Sequence, residues 1–171
     1  MTTEEIKNLE EFVKVLDMQE DILQFTHFTN ADAWELGSLM AAEAKKRNLP
    51  VSIRIELNNG CILFQYAGDG TNLRNQMWLE RKISTVKLME KSSLNFYASM
   101  RKSDKTMEDI FLDEREYACC GGAFPIRMEE AGVLGVIAVS GLNHVADHDF
   151  IVKCVGKYLH ADEVPRIKEN L

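Results

Sequence analysis

Apolar and polar residues alternate from 51 to 57, so four aliphatic side chains fall on one face of a predicted strand. The Asn-Asn-Gly sequence at 58–60 is typical of a hairpin turn, since asparagine and glycine both tolerate positive φ. Residues 61–66 return as a second strand, and the apolar runs 123–128 and 133–139 predict a second hairpin. Two successive hairpins predict a mainly antiparallel sheet and therefore an α+β fold.

Apolar residues recur every three to four positions in the remaining segments, which indicates amphipathic helices. The helices are predicted at 2–19, 30–47, 72–91, 94–100 and 147–159. The residues expected to cap them are Thr2 with Glu5 in a capping box, Asn30, Thr71 or Asn72, and Asp147. A short strand at 22–25 raises the predicted sheet to about five strands. Gly132, in the turn of the second hairpin, is expected to have positive φ.

The length of 171 residues suits one domain spanning 1–171. A net charge of −7 argues against a nucleic-acid-binding surface, which needs clustered positive charge. No apolar run approaches the roughly 20 residues of a membrane helix, and the charged first residues lack the apolar core of a signal peptide. We therefore expect a soluble, cytosolic protein with neither nucleic acid nor membrane as partner. Its four cysteines fit that compartment as small buried hydrophobes.

Two basic residues interrupt an apolar arc on the third predicted helix. The plainly polar face of this helix is narrow, so the helix should be largely covered. Arg81 and Lys82 lie inside the apolar arc, where a charge needs a partner or a water-filled pocket. They can hold an anionic group of a ligand through charge-assisted hydrogen bonds. The alternative is an intramolecular ion pair, with Glu56 or Asp147 as the partner.

Two histidines follow the last predicted strand. His144 and His148 are four residues apart, a spacing that puts both on one face of a helix, as a metal site would need. With Asp147 as the helix cap, however, His144 falls in the preceding loop, and no third ligand is evident, so no metal site is predicted.

Trp78 and Arg54 complete the predicted ligand-binding set. Their alternatives are a core or subunit contact for Trp78, and for Arg54 pairing with the glutamate two residues on.

Several short motifs carry a family resemblance. GGAFPI at 121–126, GVIAVSGL at 135–142 and Asp147-His148 resemble the haem-degrading domain family, which includes the GlcG-like and HbpS-like proteins. WLERK at 78–82 and Ser92-Ser93 resemble an uncharacterised subgroup of it. The resemblance implies a three-layer α/β/α domain, with a central antiparallel sheet of about five strands flanked by helices and assembled into oligomers. It also implies haem or a related tetrapyrrole as ligand.

These observations predict a cytosolic homo-oligomer that binds a small anionic ligand, with haem as the suggested cofactor. The residues predicted to line the site, near a subunit boundary, are Arg81, Lys82, His144, His148, Trp78 and Arg54. The alternative is a non-enzymatic assembly or adaptor protein. The sequence contains neither a G-x-S-x-G elbow nor a phosphate-binding glycine pattern, so no reaction is assigned.

Overall fold

The structure is a computed structural model that describes residues 2–167, apart from the side chains at positions 3 and 6. Each predicted helix occurs in it, with bounds that differ from the prediction by at most three residues. A 3₁₀ turn, Glu108–Ile110, lies in the loop before the second hairpin. The elements are α1 (Thr3–Ile22), α2 (Asn30–Lys46), β1 (Ser52–Leu57), β2 (Ile62–Ala67), α3 (Leu73–Met89), α4 (Ser93–Ser103), β3 (Ala123–Met128), β4 (Gly132–Ser140) and α5 (His144–Tyr158).

The sheet has four strands in the described residues, in the order β2-β1-β4-β3, and every neighbouring pair is antiparallel. The antiparallel prediction is confirmed, but the predicted count of about five strands is wrong. Residues 22–25 do not form a strand, because α1 continues to Ile22 and only Phe25 makes an isolated bridge to Met128. Leu23 and Phe25 are both buried. Their apolar character therefore reflects packing into the core rather than membership of the sheet.

Both faces of the sheet are covered by helices. Aliphatic residues of β1 and β4, including Ile53, Ile55 and Ile137, pack with α2 and α5 in the largest core cluster. On the opposite face, Val136 and Ala138 of β4 pack against α3 in a smaller cluster. The β4 residues of these two clusters alternate along the strand, as its pleat requires. The long apolar run of β4 follows from this double burial.

The predicted turns and two of the four predicted caps agree with the structure. Gly60 and Gly132 both have positive φ, at 92° and 79°. The Thr2–Glu5 capping box forms at the start of α1, and Asn72 rather than Thr71 caps α3. Two cap predictions are wrong. Thr29 and not Asn30 caps α2, and Asn143 and not Asp147 caps α5.

Helix α3 is less covered than the sequence predicts. Its inner face is buried against the sheet, but Leu73, Met77 and Leu88 are 75%, 57% and 50% exposed. These three lie near one line along the helix, since α-helical positions four or eleven apart fall on nearly the same side. An apolar stripe on the outside of α3 is therefore left without a partner among residues 2–167. Even so, no helix in that range is long and apolar enough to cross a membrane.

Candidate ligand-binding site

Three segments meet where β4 ends and α5 begins. The loop before β3 is tied to β4, because the backbone N–H of Val139 donates to the carbonyl of Gly122 at 2.8 Å. The same loop is tied to α5, because the N–H of Gly121 donates to Nδ1 of His144 at 3.1 Å. Lys82 reaches this junction from α3 and donates to the carbonyl of Val139 at 2.9 Å. The junction therefore brings together Lys82, His144 and the Gly-Gly segment of the family motif.

Lys82 forms a buried ion pair at this junction. Its Nζ lies 2.9 Å from Oδ2 of Asp147, and the two side chains are only 4% and 2% exposed. The other oxygen of Asp147 accepts the N–H of Leu142 at 2.9 Å. Burial raises the pKa of Asp147, and the positive charge of Lys82 opposes that rise. The charge of Lys82 is thus satisfied inside the chain, by one of the two carboxylates expected as intramolecular partners.

Arg81, the neighbouring basic residue, points in a different direction from Lys82. Its guanidinium lies over the ring of Trp78, 4.3 Å from the centroid, in a cation–π contact. Its Nη2 donates to the carbonyl of Tyr117 at 3.4 Å, while its buried Nε has no partner in the described residues. Arg81 and Trp78 are both partly exposed. The pair therefore lies at the surface beside the loop before β3, with one donor nitrogen still unsatisfied.

Arg54 lies in a separate polar network between β1, β2 and α3. Its Nε donates to Oε1 of Gln65 at 2.9 Å, and Nη1 lies 3.6 Å from Oε2 of Glu56. Gln76 of α3 accepts from its Nη2 at 3.3 Å. Arg54 is only 6% exposed. The structure therefore separates Arg54 from the two histidines and pairs it with the glutamate of its own strand.

The correction to the α5 cap changes the position of the first histidine. Asn143 accepts the N–H of Ala146 on its side chain at 2.9 Å and has the extended backbone of an N-cap. His144 is consequently the first residue of α5 and not part of a loop. Asp147, one turn into the helix, reaches back to the N–H of Leu142 instead. Both histidines therefore lie on α5, one turn apart.

His148 is fully buried and its bonding can be assigned. Its Nε2 lies 2.8 Å from Oε1 of Gln19, and the amide nitrogen of Gln19 donates to the carbonyl of Pro165 at 2.8 Å. Gln19 therefore accepts through its oxygen, and His148 donates through Nε2–H. Burial lowers the pKa of His148 to about 3, so the ring is neutral. Its Nδ1 is left buried without a partner in the described residues.

His144 also carries a neutral ring with an assigned proton. Because Nδ1 accepts the N–H of Gly121, the proton of the neutral ring lies on Nε2. Burial, together with the charge of Lys82, lowers the pKa of His144. The ring is half-buried and makes an edge-to-face contact with Tyr97, with the two ring centroids 4.8 Å apart. His144 can therefore donate a hydrogen bond, whereas its one lone pair is already used.

A groove of about 560 Å³ runs past His144 along the start of α5. Its apolar wall is formed by Phe12 of α1, Leu142, Phe150 and Ile167. Arg47 at the end of α2, Lys153 of α5 and Arg166 of the C-terminal segment supply three cations, and Asp149 supplies one carboxylate. The groove thus combines an apolar wall with an excess of positive charge, although the whole chain carries −7.

Of the four charged groups of the groove, three form ion pairs with one another and the fourth, Arg47, does not. Oδ2 of Asp149 lies 2.8 Å from Nζ of Lys153 and 3.1 Å from Nη2 of Arg166. Arg47 makes no ion pair with any residue from 2 to 167. Sequence reasoning missed all four residues. Only the Asp149–Lys153 spacing of four is a local signal, and it predicts an ordinary surface pair on a helix.

The two adjacent cysteines are neutral thiols in the structure. Burial raises the pKa of Cys119 to about 11 and also raises that of Cys120, so both are protonated thiols. Cys154 is buried as predicted, whereas Cys61 is exposed, which corrects the expectation of four buried cysteines. Residues 2–167 contain no group of three or more His, Cys, Asp or Glu side chains that could hold a metal ion.

The fold and the junction define a class, an α+β domain with a four-stranded antiparallel sheet and a Gly-Gly segment that leads into β3 beside α5. The model of the haem degrading protein HbpS-like family matches residues 28–156. The chain therefore belongs to the HbpS-like family. A UPF0303 protein of Yersinia pseudotuberculosis serotype O:3 (strain YPIII) is 32% identical over 153 residues, which are 89% of each chain.

Three solved structures share the fold. The crystal structure of the Ybr137w protein aligns with a TM-score of 0.81 and 31% identity, over 86% of this chain and 87% of that one. HbpS aligns with a TM-score of 0.62 and 21% identity, over 80% and 92%. A PduOC:heme complex aligns with a TM-score of 0.62 and 14% identity, over 75% and 93%. At these lower identities, the last two show a shared fold.

Proposed function

We propose that this protein is a cytosolic, oligomeric three-layer domain that binds a small anionic ligand in the groove beside the start of α5. Haem or a related tetrapyrrole is the candidate ligand, and no reaction is assigned. The observation that carries the proposal is the groove itself, in which three cations and one carboxylate border an apolar wall on an acidic chain. An amphiphilic anion matches both parts of such a surface.

The charges favour an organic anion over a neutral ligand. Arginine and lysine bind carboxylates through short, charge-assisted hydrogen bonds, and a local excess of positive charge concentrates anions near an acidic protein. Nε2–H of His144 adds a neutral donor at the same groove. Of the six residues predicted from the sequence, His144 is the one that lines it.

The other five predicted residues do not line the groove, and we assign them other roles. Lys82 and His148 are buried, and we assign them to holding the start of α5 in position. Arg81 and Trp78 border the same junction at the surface, where a neighbouring subunit can cover them. Arg54 belongs to the network beneath α3.

The family supports the choice of ligand. The matching family is described as haem degrading, and one relative in fold was solved as a complex with heme. For a tetrapyrrole with acidic side chains, Arg47, Lys153 and Arg166 would bind the acidic groups, and Phe12, Leu142 and Phe150 would contact the rings. The chemistry of these residues therefore fits the anionic and apolar parts of the molecule.

A haemin titration of the full chain tests this function. We expect saturable binding, seen as a shift of the Soret band, and we expect Arg47→Ala and Lys153→Ala each to weaken it by about tenfold, the cost of one charge-assisted bond. Lys46→Ala is the matched control, because Lys46 is an exposed cation next to Arg47 that does not line the groove. A titration with no Soret shift, or an equal loss in the control, would contradict the proposal.

The apolar stripe of α3 supports the second candidate, an assembly protein built from copies of this chain. Leu73, Met77 and Leu88 are exposed along one side of α3, and exposed apolar patches of this kind mark interaction surfaces. We expect Met77→Glu with Leu88→Glu to lower the mass measured by light scattering. Met18→Glu is the control, since Met18 is an exposed methionine on α1. A wild-type mass equal to one chain would contradict assembly.

A further inference from the structure

We propose that the groove recognises only the carboxylate groups and the apolar area of its ligand, so that binding is independent of iron. A metal-free tetrapyrrole, or another rigid apolar molecule with acidic groups, then binds as tightly as haem does. This inference rests on the proposed function and names the class of ligand more narrowly.

Histidines are the usual nitrogen ligands of haem iron. A neutral imidazole binds a metal through the lone pair of its unprotonated nitrogen. In His144 that lone pair accepts the N–H of Gly121. In His148 it belongs to Nδ1, which is fully buried and therefore out of reach of a molecule in the groove. Neither histidine therefore offers an accessible lone pair to iron.

The other side chains around the groove are also unsuited to binding iron. No cysteine, methionine or tyrosine lines the groove among the described residues. The two side chains with ligand oxygens are already engaged: Asn143 accepts the N–H of Ala146, and Asp149 holds Lys153 and Arg166. The groove thus presents donors and cations to the ligand, and these attract carboxylates and repel a positive metal centre.

Asp149 acts as an internal competitor of an anionic ligand. Its carboxylate already occupies the two cations that a ligand carboxylate would use. A bound anion must either displace Asp149 or rely on Arg47. Removing this charge should therefore tighten the binding of every anionic ligand, with or without a metal. Asp149 is in this sense a residue that determines specificity, since it limits how much negative charge the groove accepts.

Parallel titrations with haemin and metal-free protoporphyrin test the inference on the full chain. Porphyrin absorbance and tryptophan fluorescence report binding of both molecules. We expect dissociation constants within threefold of each other, an unchanged ratio in His144→Gln, and binding at least fivefold tighter for both in Asp149→Asn. Arg47→Ala should weaken both by the same factor. Circular dichroism of each variant shows whether it is folded.

Each result separates this inference from the proposed function. Haemin binding more than tenfold tighter than that of the metal-free molecule, with the excess lost in His144→Gln, would overturn iron independence and leave the proposed function standing. A low-spin spectrum of the haemin complex that disappears in the same variant would do the same. Binding of neither molecule would refute the proposed function itself. Tightening in Asp149→Asn that is confined to haemin would also overturn the inference.

Discussion

The buried Lys82–Asp147 pair provides the sharpest test of the structure. Nζ and Oδ2 are 2.9 Å apart, and neither side chain is more than 4% exposed. Removing one partner of such a pair leaves the other charge buried without compensation, which costs about 3–5 kcal/mol. Domains are typically stable by only about 5–15 kcal/mol. Lys82→Met is therefore expected to lose about a fifth or more of the free energy of unfolding at pH 7.

The loss should depend on pH in a defined direction. Burial already raises the pKa of Asp147, and deleting the Lys82 charge raises it further. A carboxyl group whose pKa is higher in the folded state stabilises the fold below its unfolded pKa of about 3.9 and loses that contribution as the pH rises. The deficit of Lys82→Met should accordingly be largest at pH 7 and smaller at pH 4.5.

Urea unfolding followed by tryptophan fluorescence and circular dichroism measures this deficit. Adding Asp147→Asn to Lys82→Met should restore more than half of the loss, because the asparagine oxygen still accepts the N–H of Leu142 and carries no charge. Lys91→Met is the control, since Lys91 pairs with Asp17 at the surface and such pairs contribute about 0–1 kcal/mol. A loss below about 1 kcal/mol at pH 7 would refute the buried-pair reasoning.

Three further substitutions test the titrating groups and the family glycines. The pKa of His148 is about 3 in the folded protein, so the wild-type free energy of unfolding should fall as the pH drops below about 6.5, by up to about 1.4 kcal/mol per pH unit. In urea titrations at pH 7 and 5, His148→Gln should lack this part of the pH dependence. Asp32, with its pKa lowered to about 2 by hydrogen bonds in the α2 capping box, stabilises the fold above about pH 4 and loses this effect as the pH falls through 2. Asp32→Asn should therefore cost about 0.5–2 kcal/mol at pH 7, and thermal scans should show this difference from wild type shrinking as the pH falls towards 2. Gly122→Ala should cost about 3 kcal/mol or more, because φ is 115° and the new Cβ would lie 2.6 Å from the carbonyl of Val139. Gly60→Ala, where φ is 92° in open space, should cost only about 1–2 kcal/mol, and equal losses at the two glycines would contradict the close approach.

The sheet was predictable because its signals are local. Alternation in β1, the Asn-Asn-Gly turn and the apolar run of β4 each depend on residues close in sequence. The false strand at 22–25 shows the limit of this reasoning. A short apolar segment looks the same whether it pairs in a sheet or packs beneath one, and only the tertiary structure separates the two. The prediction of the α5 cap failed for a related reason. Asn143 and Asp147 are both residue types that favour the N-cap, and the ion pair of Asp147 with Lys82 is a tertiary contact that the local sequence does not reveal.

The groove could not be predicted, because its walls come from four distant parts of the chain. Phe12, Arg47, Lys153 and Arg166 belong to α1, the end of α2, α5 and the C-terminal segment. No spacing rule links residues so far apart. His144 was found because it stands next to a family motif. Its hydrogen-bond donor role follows only from the bond to Gly121.

The contrast between Lys82 and Arg47 explains why the basic residues of α3 stand out in the sequence, whereas the basic residues of the groove do not. A charge placed among apolar helix positions is buried in the folded chain, and it must be compensated whether or not a ligand is bound. Such a charge therefore acquires an internal partner, as Lys82 does in Asp147. A cation proposed to bind a ligand must instead remain hydrated in the free protein. Such a cation occupies an exposed position, as Arg47 does at the end of α2, and looks ordinary in the sequence. Unusual burial of a charge thus indicates internal pairing first, and ligand-binding cations are to be sought around a groove.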